Sequence, residues 1–394
     1  MSAERPTIRL RPKVDARRIR RGHPWVHPGE IVLDRRTRAL PPGTVARLED
    51  ADRVPLATVA VTPEARLPVR ILDHDPAAEI DRAWLAGRVG QAAGLRARLY
   101  DDPFHRLVHA EADGLPGLVI DRFGAAAVVQ PNAAWIEARL DLLLDVLGDM
   151  GIETVVKSAT GRARAGEGLD DAGGLLRGAL DGPMPVPMNG ATYLADLEGG
   201  QKTGLFFDQR PNHAFVARVA RDARVLDVFT HVGGFALAAL AADAESALAV
   251  DGSQPALHLA AEGAARTGVG TRFETRRGDA FEAMAALEGE RFDVVVADPP
   301  AFAPTKAALE RGLRAYERVA RLASPLVAEG GFLTLCSCSH AAALDKFRNA
   351  SLRGIARAGR EAVLLRTGSA GPDHPMHPQL TEGGYLKVLT FRLS

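Results

Sequence analysis

The chain has 394 residues, which at roughly 100–200 residues per domain implies two or three domains, each long enough to bury its own core. Apolar residues make up 46% and charged residues 25%, an ordinary globular composition that excludes a disordered chain. The longest apolar run, Phe235 to Ala242, falls far short of the roughly 18 residues of a membrane span, and a formal net charge of zero excludes a histone-like polycation.

The charge is nevertheless segregated. Residues 1–38 carry 11 Arg or Lys against 4 Asp or Glu, and the remaining chain carries 38 against 45. A basic start on a mildly acidic body favours a polyanion partner, with Arg17, Arg18, Arg20 and Arg21 as the densest cluster. Cysteine is limited to Cys336 and Cys338. Residues two apart do not readily close a disulfide, and two thiols without a nearby His pair make no zinc site, so no metal is expected. No secretory signal opens the chain, and reduced thiols and a cytoplasmic location follow as expectations.

In chain order, short strands are predicted at Ile31–Leu33, Thr44–Leu48, Leu56–Val61 and Val69–Leu72, separated by turn residues such as Pro41-Pro42-Gly43. Strands so closely spaced suggest a small β-barrel over residues 1–73. A helix around Ile80–Leu99, strands at Leu107–Ala110, Leu118–Asp121 and Ala126–Gln130, and a helix from about Ala133 to Leu147 form a central α+β domain over 74–182. The Gly-, Arg- and Asp-rich stretch Gly161–Gly174 reads as an exposed loop. The Pro-rich segment Asp181–Asn189 reads as a linker.

The pattern then changes. Strands at Val225–Phe229, Ala247–Val250, Arg272–Thr275, Val294–Ala297 and Phe332–Leu335 alternate with helices at Gly234–Ala241, Pro255–Arg266, Phe281–Leu287, Lys306–Ala328 and Ala343–Arg357. Strands at Ala362–Leu365 and Leu386–Phe391 finish the chain. Repeated βα units predict an α/β domain over 183–394, a Rossmann-like seven-stranded sheet covered by helices. Its ligands belong at the carboxyl ends of the strands.

The first βα turn runs Asp227-Val228-Phe229-Thr230-His231-Val232-Gly233-Gly234. It lacks the Gly-x-Gly-x-x-Gly fingerprint that brings backbone close to a pyrophosphate, which argues against NAD or FAD. The second strand ends in Asp251, placed to accept from both hydroxyls of a ribose, and the third in Asp279, placed to meet an adenine amine. Three acids at successive strand ends suit a cationic sulfonium nucleoside, S-adenosylmethionine, although any one of them alone reads as a helix cap. Phe229, Gly233, Gly234, Ser253 and Ala280 complete this pocket on the same turns.

The fourth strand ends in Asp298-Pro299-Pro300-Ala301-Phe302. Two prolines remove two N–H donors, so carbonyls and the Asp298 carboxylate are left as acceptors for a nucleobase amine or ring N–H, and Phe302 offers a stacking face. The fifth strand leads to Cys336-Ser337-Cys338-Ser339-His340. Neighbouring strands are about 4.7–4.9 Å apart, which puts Asp298 and a cysteine side by side. A thiolate beside a carboxylate suits attack on a pyrimidine ring carbon. A free thiol has a pKa of about 8.5 and needs local help to ionise, for which Arg210 and His340 are the sequence candidates.

These segments resemble bacterial class I methyltransferases that make 5-methylcytosine in large-subunit ribosomal RNA, the RlmI-like group. Arg20-Arg21-Gly22-His23-Pro24-Trp25-Val26 with Gly29 is similar to that family's PUA domain, an RNA-binding β-barrel. Glu111 to Gly124 is similar to its central domain. Gly200-Gln201-Lys202-Thr203-Gly204 with Asp208-Gln209-Arg210 resembles the hairpin leading into its catalytic domain, and Gly233-Gly234-Phe235, Asp298-Pro299-Pro300, Ser337-Cys338-Ser339 and Asp373-His374-Pro375 match later motifs.

The resemblance implies S-adenosylmethionine as cofactor, with Pro299 also at its site, and ribosomal RNA as partner; Arg210 is a candidate for the cofactor's carboxylate or for a phosphate. Cys338 falls on the nucleophile, adding to C6 of cytosine while Asp298 holds the N3/N4 edge. His374 or water removes the C5 proton, Lys202 and Thr203 line the pocket, the N-terminal arginines hold phosphates, and a homodimer is expected. The chain departs from the pattern at His340, where Gly is common. Competing readings are a methyltransferase acting on an amino group or on guanine, which needs no thiol; an RNA-binding assembly protein that retains the cofactor fold; and a small-molecule methyltransferase, for which a basic barrel is surplus.

Overall fold

The computed structural model describes residues 5–200, 203–380 and 384–394, apart from the side chains at 162 and 163. The chain divides into two compact units. One comprises Met1–Asp181 with Leu197–Thr203 and Asp373–Thr381, the other Gly182–Asp196 with Gly204–Pro372 and Glu382–Ser394.

The first unit begins with a five-stranded sheet of β1 (Thr7–Arg9), β2 (Trp25–Val26), β3 (Thr44–Glu49), β4 (Pro55–Val61) and β5 (Val69–Asp73), in the order β1-β3-β4-β5-β2. The short helices α1 (Arg17–Arg20) and α2 (Arg35–Arg38) interrupt it. Ile8, Leu10, Ile19, Val26, Leu48, Val59 and Val69 form its core. Ile31, expected in a strand, makes only an isolated bridge to Leu10.

After α3 (Arg82–Arg96), a second sheet is built from β6 (Phe104–His109), β7 (Leu118–Phe123), β8 (Ala126–Pro131), β9 (Thr154–Lys157) and β10 (Gly174–Arg177), in the order β10-β9-β8-β7-β6. The helix expected over 133–147 is two, α4 (Ala134–Glu137) and α5 (Leu140–Asp149). The Arg139 side chain at the break donates to the Trp135 carbonyl at 2.9 Å, which replaces a lost helical bond.

The segment 161–174 corrects the reading of an exposed loop. It contains α6 (Arg162–Gly166), and Arg164 and Glu167 are 1% and 4% exposed. Arg164 pairs with Glu137 at 2.8 Å. Glu167 pairs with Arg70 at 2.9 Å, and Arg70 also pairs with Glu111, which accepts from the Trp25 indole N–H. This buried network fastens the barrel to the second sheet. Each charge in it is paired, as burial requires.

The second unit opens with the hairpin β11 (Met184–Met188) and β12 (Ala191–Ala195), which corrects the linker reading of 181–189. Pro185 and Pro187 sit on the exposed side of this two-stranded edge, where missing N–H donors are tolerated. Then follow α7 (Arg210–Val219), β13 (Arg224–Val228), α8 (Gly234–Ala241), β14 (Ser246–Asp251), α9 (Gln254–Thr267), β15 (Phe273–Arg277), α10 (Ala280–Ala286), β16 (Phe292–Ala297), α11 (Leu309–Ala323), β17 (Val327–Ser337), α12 (Leu344–Arg357), β18 (Ala362–Gly368) and β19 (Lys387–Leu393).

The seven-stranded sheet has the order β15-β14-β13-β16-β17-β19-β18, with β19 antiparallel to both neighbours and the first five strands parallel. Central in the sheet, β13 and β16 carry the buried apolar stretches Val225-Leu226 and Val294–Ala297. Helix α11 is shorter than the expected 306–328, because Ser324-Pro325 turns the chain into β17. The sheet reverses strand order beside β13, so Asp227, Asp251 and Asp298 all lie at the carboxyl rim.

Helices α11 and α12 cross closely at Gly354. A Cβ there would lie 2.6 Å from the Ala320 Cβ and also against the Glu317 carbonyl oxygen. Gly354→Val is therefore expected to destabilise the protein by about 1–3 kcal/mol through overpacking, read as a lower urea midpoint with unchanged slope. An unchanged midpoint would show that the crossing is loose.

Candidate active site

The turn after β13 is built around Asp227, which is fully buried. Its Oδ2 accepts from the Thr230 hydroxyl at 2.6 Å and the Ala236 N–H at 3.0 Å, whereas its buried Oδ1 has no hydrogen-bond partner among the described residues. Burial pushes its pKa up to about 6, and the Asp251 charge adds to the rise. A buried carboxylate with an orphan oxygen fits a ligand that brings positive charge.

Phe229 (φ 65°) and His231 (φ 53°) both adopt the left-handed conformation in this turn, before Gly233 at φ 86°. Two non-glycine residues held that way store backbone strain, which concentrates at ligand-binding turns. A Cβ on Gly233 would lie 2.9 Å from Leu237, and one on Gly234 2.8 Å from the His213 ring. His213 is buried, its pKa lowered to about 3 by burial, and it packs edge-on against Phe235 at 4.5 Å. The Tyr193 hydroxyl donates to the Gly234 carbonyl at 3.1 Å. The turn is thus held from below by packed rings.

Asp251 is half-buried and accepts from the His231 N–H at 2.9 Å and the Ser253 N–H at 2.8 Å. It ties the first two strand ends together, while the Ser253 hydroxyl caps α9. Asp279 is exposed and caps α10 through Oδ1, which accepts from the Phe281 and Glu282 N–H groups. Ala280 and Pro299 are buried. Arg210, the first residue of α7, places its charge where it acts on the Tyr193 phenol.

Asp298 is aimed by a relay that the sequence did not reveal. Gln209 Nε2 donates to Asp298 Oδ2 at 2.9 Å, Asn212 Nδ2 donates to Gln209 Oε1 at 2.8 Å, and Arg366 donates to Asn212 Oδ1 at 2.9 Å. Gln209 and Asn212 are 3% and 0% exposed. Gln209 lies in the quoted Asp-Gln-Arg motif. Asn212 and Arg366 carry no local signal.

The cysteine in register with Asp298 is Cys336, since Ala297 pairs with Leu335. Cys336 is buried, and both burial and the Asp298 charge push its thiol well above the ordinary value. It stays protonated and bonds to Gln209. Cys338 is half-buried and lies between two serines that are 0% exposed. The Tyr316 hydroxyl of α11 is 2.7 Å from the Ser339 hydroxyl and also bonds to Ser337. The Ser339 hydroxyl accepts from the Ala303 N–H at 2.9 Å. The Ser-Cys-Ser tip is thereby clamped on both sides of the cysteine.

Lys387, also missed by sequence reasoning, completes the clamp. It pairs with Ser337 across β17 and β19, and its Nζ donates to the Ser339 carbonyl at 2.7 Å. Burial lowers its pKa to about 8, and the Cys338 charge opposes that shift. The available signal was a lone cation inside the apolar run Leu386–Phe391. His340 is exposed, with its ring 5.6 Å from Tyr385, whose hydroxyl donates to Asp208 at 2.6 Å.

Phe302 is half-buried, packed at 5.0 Å from Tyr316 and 6.2 Å from Phe281. Thr203 and His374 are buried in the first unit, where His374 Nδ1 is 2.9 Å from Asp373. Lys202 lies outside the described residues. In α1, Arg18 pairs with Glu30 at 2.6 Å and Arg20 with Asp50 at 3.3 Å, and Arg17 and Arg21 are exposed.

Because Asp227 has a folded-state pKa near 6, above about 3.9 for an unfolded Asp, the native state binds the extra proton between those values. Its ionisation costs stability as pH rises from about 4 to 6, and the full cost persists above that window. Asp227→Asn is expected to raise stability by about 1–3 kcal/mol at pH 7, with the gain over wild type vanishing toward pH 4. Urea midpoints across that range measure it, and a variant less stable at pH 7 would contradict the assignment.

A family model described as S-adenosylmethionine-dependent methyltransferase matches residues 170–392, and one for a PUA-like domain matches residues 8–74. The chain is 32% identical over 379 residues to ribosomal RNA large subunit methyltransferase I of Cronobacter sakazakii, covering 93% of this chain and 94% of that protein. It is 32% identical to the protein of the same name from Escherichia coli O139:H28, covering 95% and 96%. A solved structure from Streptococcus mutans, described as a SAM-dependent methyltransferase, superposes with a TM-score of 0.79 at 16% identity over 98% of this chain and all of that one. A methyltransferase complexed with SAH superposes at 0.81, with 16% identity over 98% and 99%. These likenesses confirm the architecture, the barrel and the seven-stranded sheet included. With Asp227, Asp251 and Asp298 ordered along one rim, the chain belongs to the S-adenosylmethionine-dependent methyltransferase family.

Proposed function

We propose that the protein methylates C5 of a cytosine in large-subunit ribosomal RNA through a transient bond to Cys338. The observation that carries this reading is the clamped Ser337-Cys338-Ser339 tip with Lys387 beside it, at the same sheet rim as Asp298. The ribosomal RNA substrate is carried over from the names of the curated relatives. The PUA-like barrel and its exposed Arg17 and Arg21 support a polyanionic partner.

S-adenosylmethionine, when bound, supplies an electrophilic methyl group. Asp251 would hold the ribose hydroxyls, Asp279 the adenine side, and Arg210 the carboxylate. The buried Asp227 suits the cationic part of the cofactor.

The cytosine is flipped or splayed into the pocket. The Cys338 thiolate bonds to C6, and the electron pair of the C5–C6 double bond moves to C5. Asp298, oriented by Gln209, holds the N3/N4 edge and offsets charge on the ring. C5 takes the methyl group, a base removes the C5 proton, the double bond re-forms and the thiolate leaves. Cys336 is unsuited to this role because its buried thiol does not ionise near neutral pH.

Lys387 would serve as the counterion of the thiolate, since a cation beside a thiol favours its ionised form. The Cys338 charge acts on Lys387 of β19, Tyr316 of α11 and Cys336 of β17, of which Lys387 is the cation.

Cys338→Ala is expected to abolish 5-methylcytosine formation, assayed by nucleoside digestion and mass analysis, while S-adenosylhomocysteine affinity stays within about twofold. Cys336→Ala should retain activity. Full activity in Cys338→Ala would favour methylation of an amino nitrogen, which needs no thiol. Lys387→Met is expected to move the pH dependence of Cys338 alkylation, and the acid limb of kcat/KM, upward by about one unit. An unchanged alkylation profile would leave Lys387 a purely structural role.

A further inference from the structure

Helix α11 carries a row of like charges that the proposed chemistry does not use. Arg311, Arg314, Arg318 and Arg321 recur at intervals of three and four and are all exposed, while Leu313, Tyr316, Val319 and Ala320 face the core. Such spacing puts the four guanidinium groups on one face, over about 15 Å of helix axis. Two acids share the helix: Glu317 is buried and already paired with Arg353 and Arg357 of α12, and Glu310, at the start of the row, is exposed and among the described residues forms no ion pair. Among the described residues, Arg311, Arg314 and Arg321 form no ion pair.

Like charges three and four apart on a helix destabilise it by about 0.2–0.5 kcal/mol per pair. A solvated structural helix avoids that by mixing signs, as Glu262 and Arg266 do on α9. The excess also sits on a body that is otherwise acidic, since residues beyond 38 carry 38 basic against 45 acidic side chains. The row is continuous with the candidate active site. The Arg318 guanidinium lies 4.5 Å from the Phe281 ring, Phe281 is 6.2 Å from Phe302, and Tyr316 on the same helix holds the cysteine tip.

We infer that the exposed face of α11, with Arg353 and Arg357 beside it, is a second RNA-docking surface that grips the phosphate backbone flanking the target nucleotide. It rests on the proposed RNA substrate and adds to it a phosphate-binding surface within the methyltransferase domain itself. Guanidinium groups match phosphate oxygens bidentately, and each neutralised phosphate releases counterions. The partner recognised is a polyphosphate strand, with no base read directly.

The test uses the full-length protein with Arg311, Arg314 and Arg321 all changed to Gln, and a second variant with the same three changed to Lys. Binding of a fluorescein-labelled single-stranded RNA oligonucleotide is measured by anisotropy over a salt series, with S-adenosylhomocysteine binding by calorimetry as the control for folding. The Gln variant is expected to lose about tenfold or more in RNA affinity at low salt, with the salt slope shallower by about 2, given about 0.7 per phosphate on a single strand. The Lys variant should keep the slope, and cofactor affinity should not change in either. If wild type binds the RNA and the Gln variant matches it in affinity and slope, this surface is not an RNA dock, even though the substrate reading stands. If wild type binds S-adenosylhomocysteine but no RNA, both fall together.

Discussion

In the proposed reaction a thiol attacks a ring carbon, for which it has to be ionised, fixed and still reachable, and those demands conflict inside a packed sheet. The tip of β17 reconciles them by alternation. Ser337 and Ser339 point into protein and are tied to Tyr316, the Ala303 N–H and Lys387, so the half-buried Cys338 between them is held by its neighbours. Lys387 is costly to bury, but its bond to the Ser339 carbonyl and its proximity to the thiol offset that cost. Two residues earlier, Cys336 has the same chemistry in an environment that forbids ionisation. Environment, not residue type, separates the two.

The same trade of stability for readiness recurs at the cofactor turn. Phe229 and His231 are held left-handed and Asp227 is buried with an orphan oxygen. None of these helps the protein fold. They persist because Tyr193, His213 and Phe235 pack beneath the turn and β13 is anchored by strands on both sides. A turn so prepared is shaped to meet a ligand without rearranging, and a cationic ligand would offset the buried Asp227 carboxylate.

Much of this was legible in the chain. Strands buried on both faces show as apolar runs such as Val294–Ala297, and an acid such as Asp279 reads as a helix cap, so the βα alternation and the rim acids could be placed directly. What was not legible depends on distant partners. Pro185 and Pro187 suggested a linker because a lone segment does not reveal the strand that pairs with it. Arg164 and Glu167 suggested solvent because their carboxylate and guanidinium partners are far away in sequence. Lys387 reaches Ser339 across 48 residues and Arg366 reaches Asn212 across 154. No local pattern carries such pairings, so the groups that tune and aim the site were invisible while the groups that name it were not.

The most direct measurement is covalent trapping. RNA containing 5-fluorocytosine presents no removable proton at C5, so a thiol adduct formed on the reaction path accumulates in the presence of S-adenosylmethionine. Peptide mass spectrometry of the trapped complex should find the nucleotide on Cys338. Ordinary RNA methylated at cytosine C5 with no adduct from the fluorinated RNA, or an adduct on Cys336, would contradict the account.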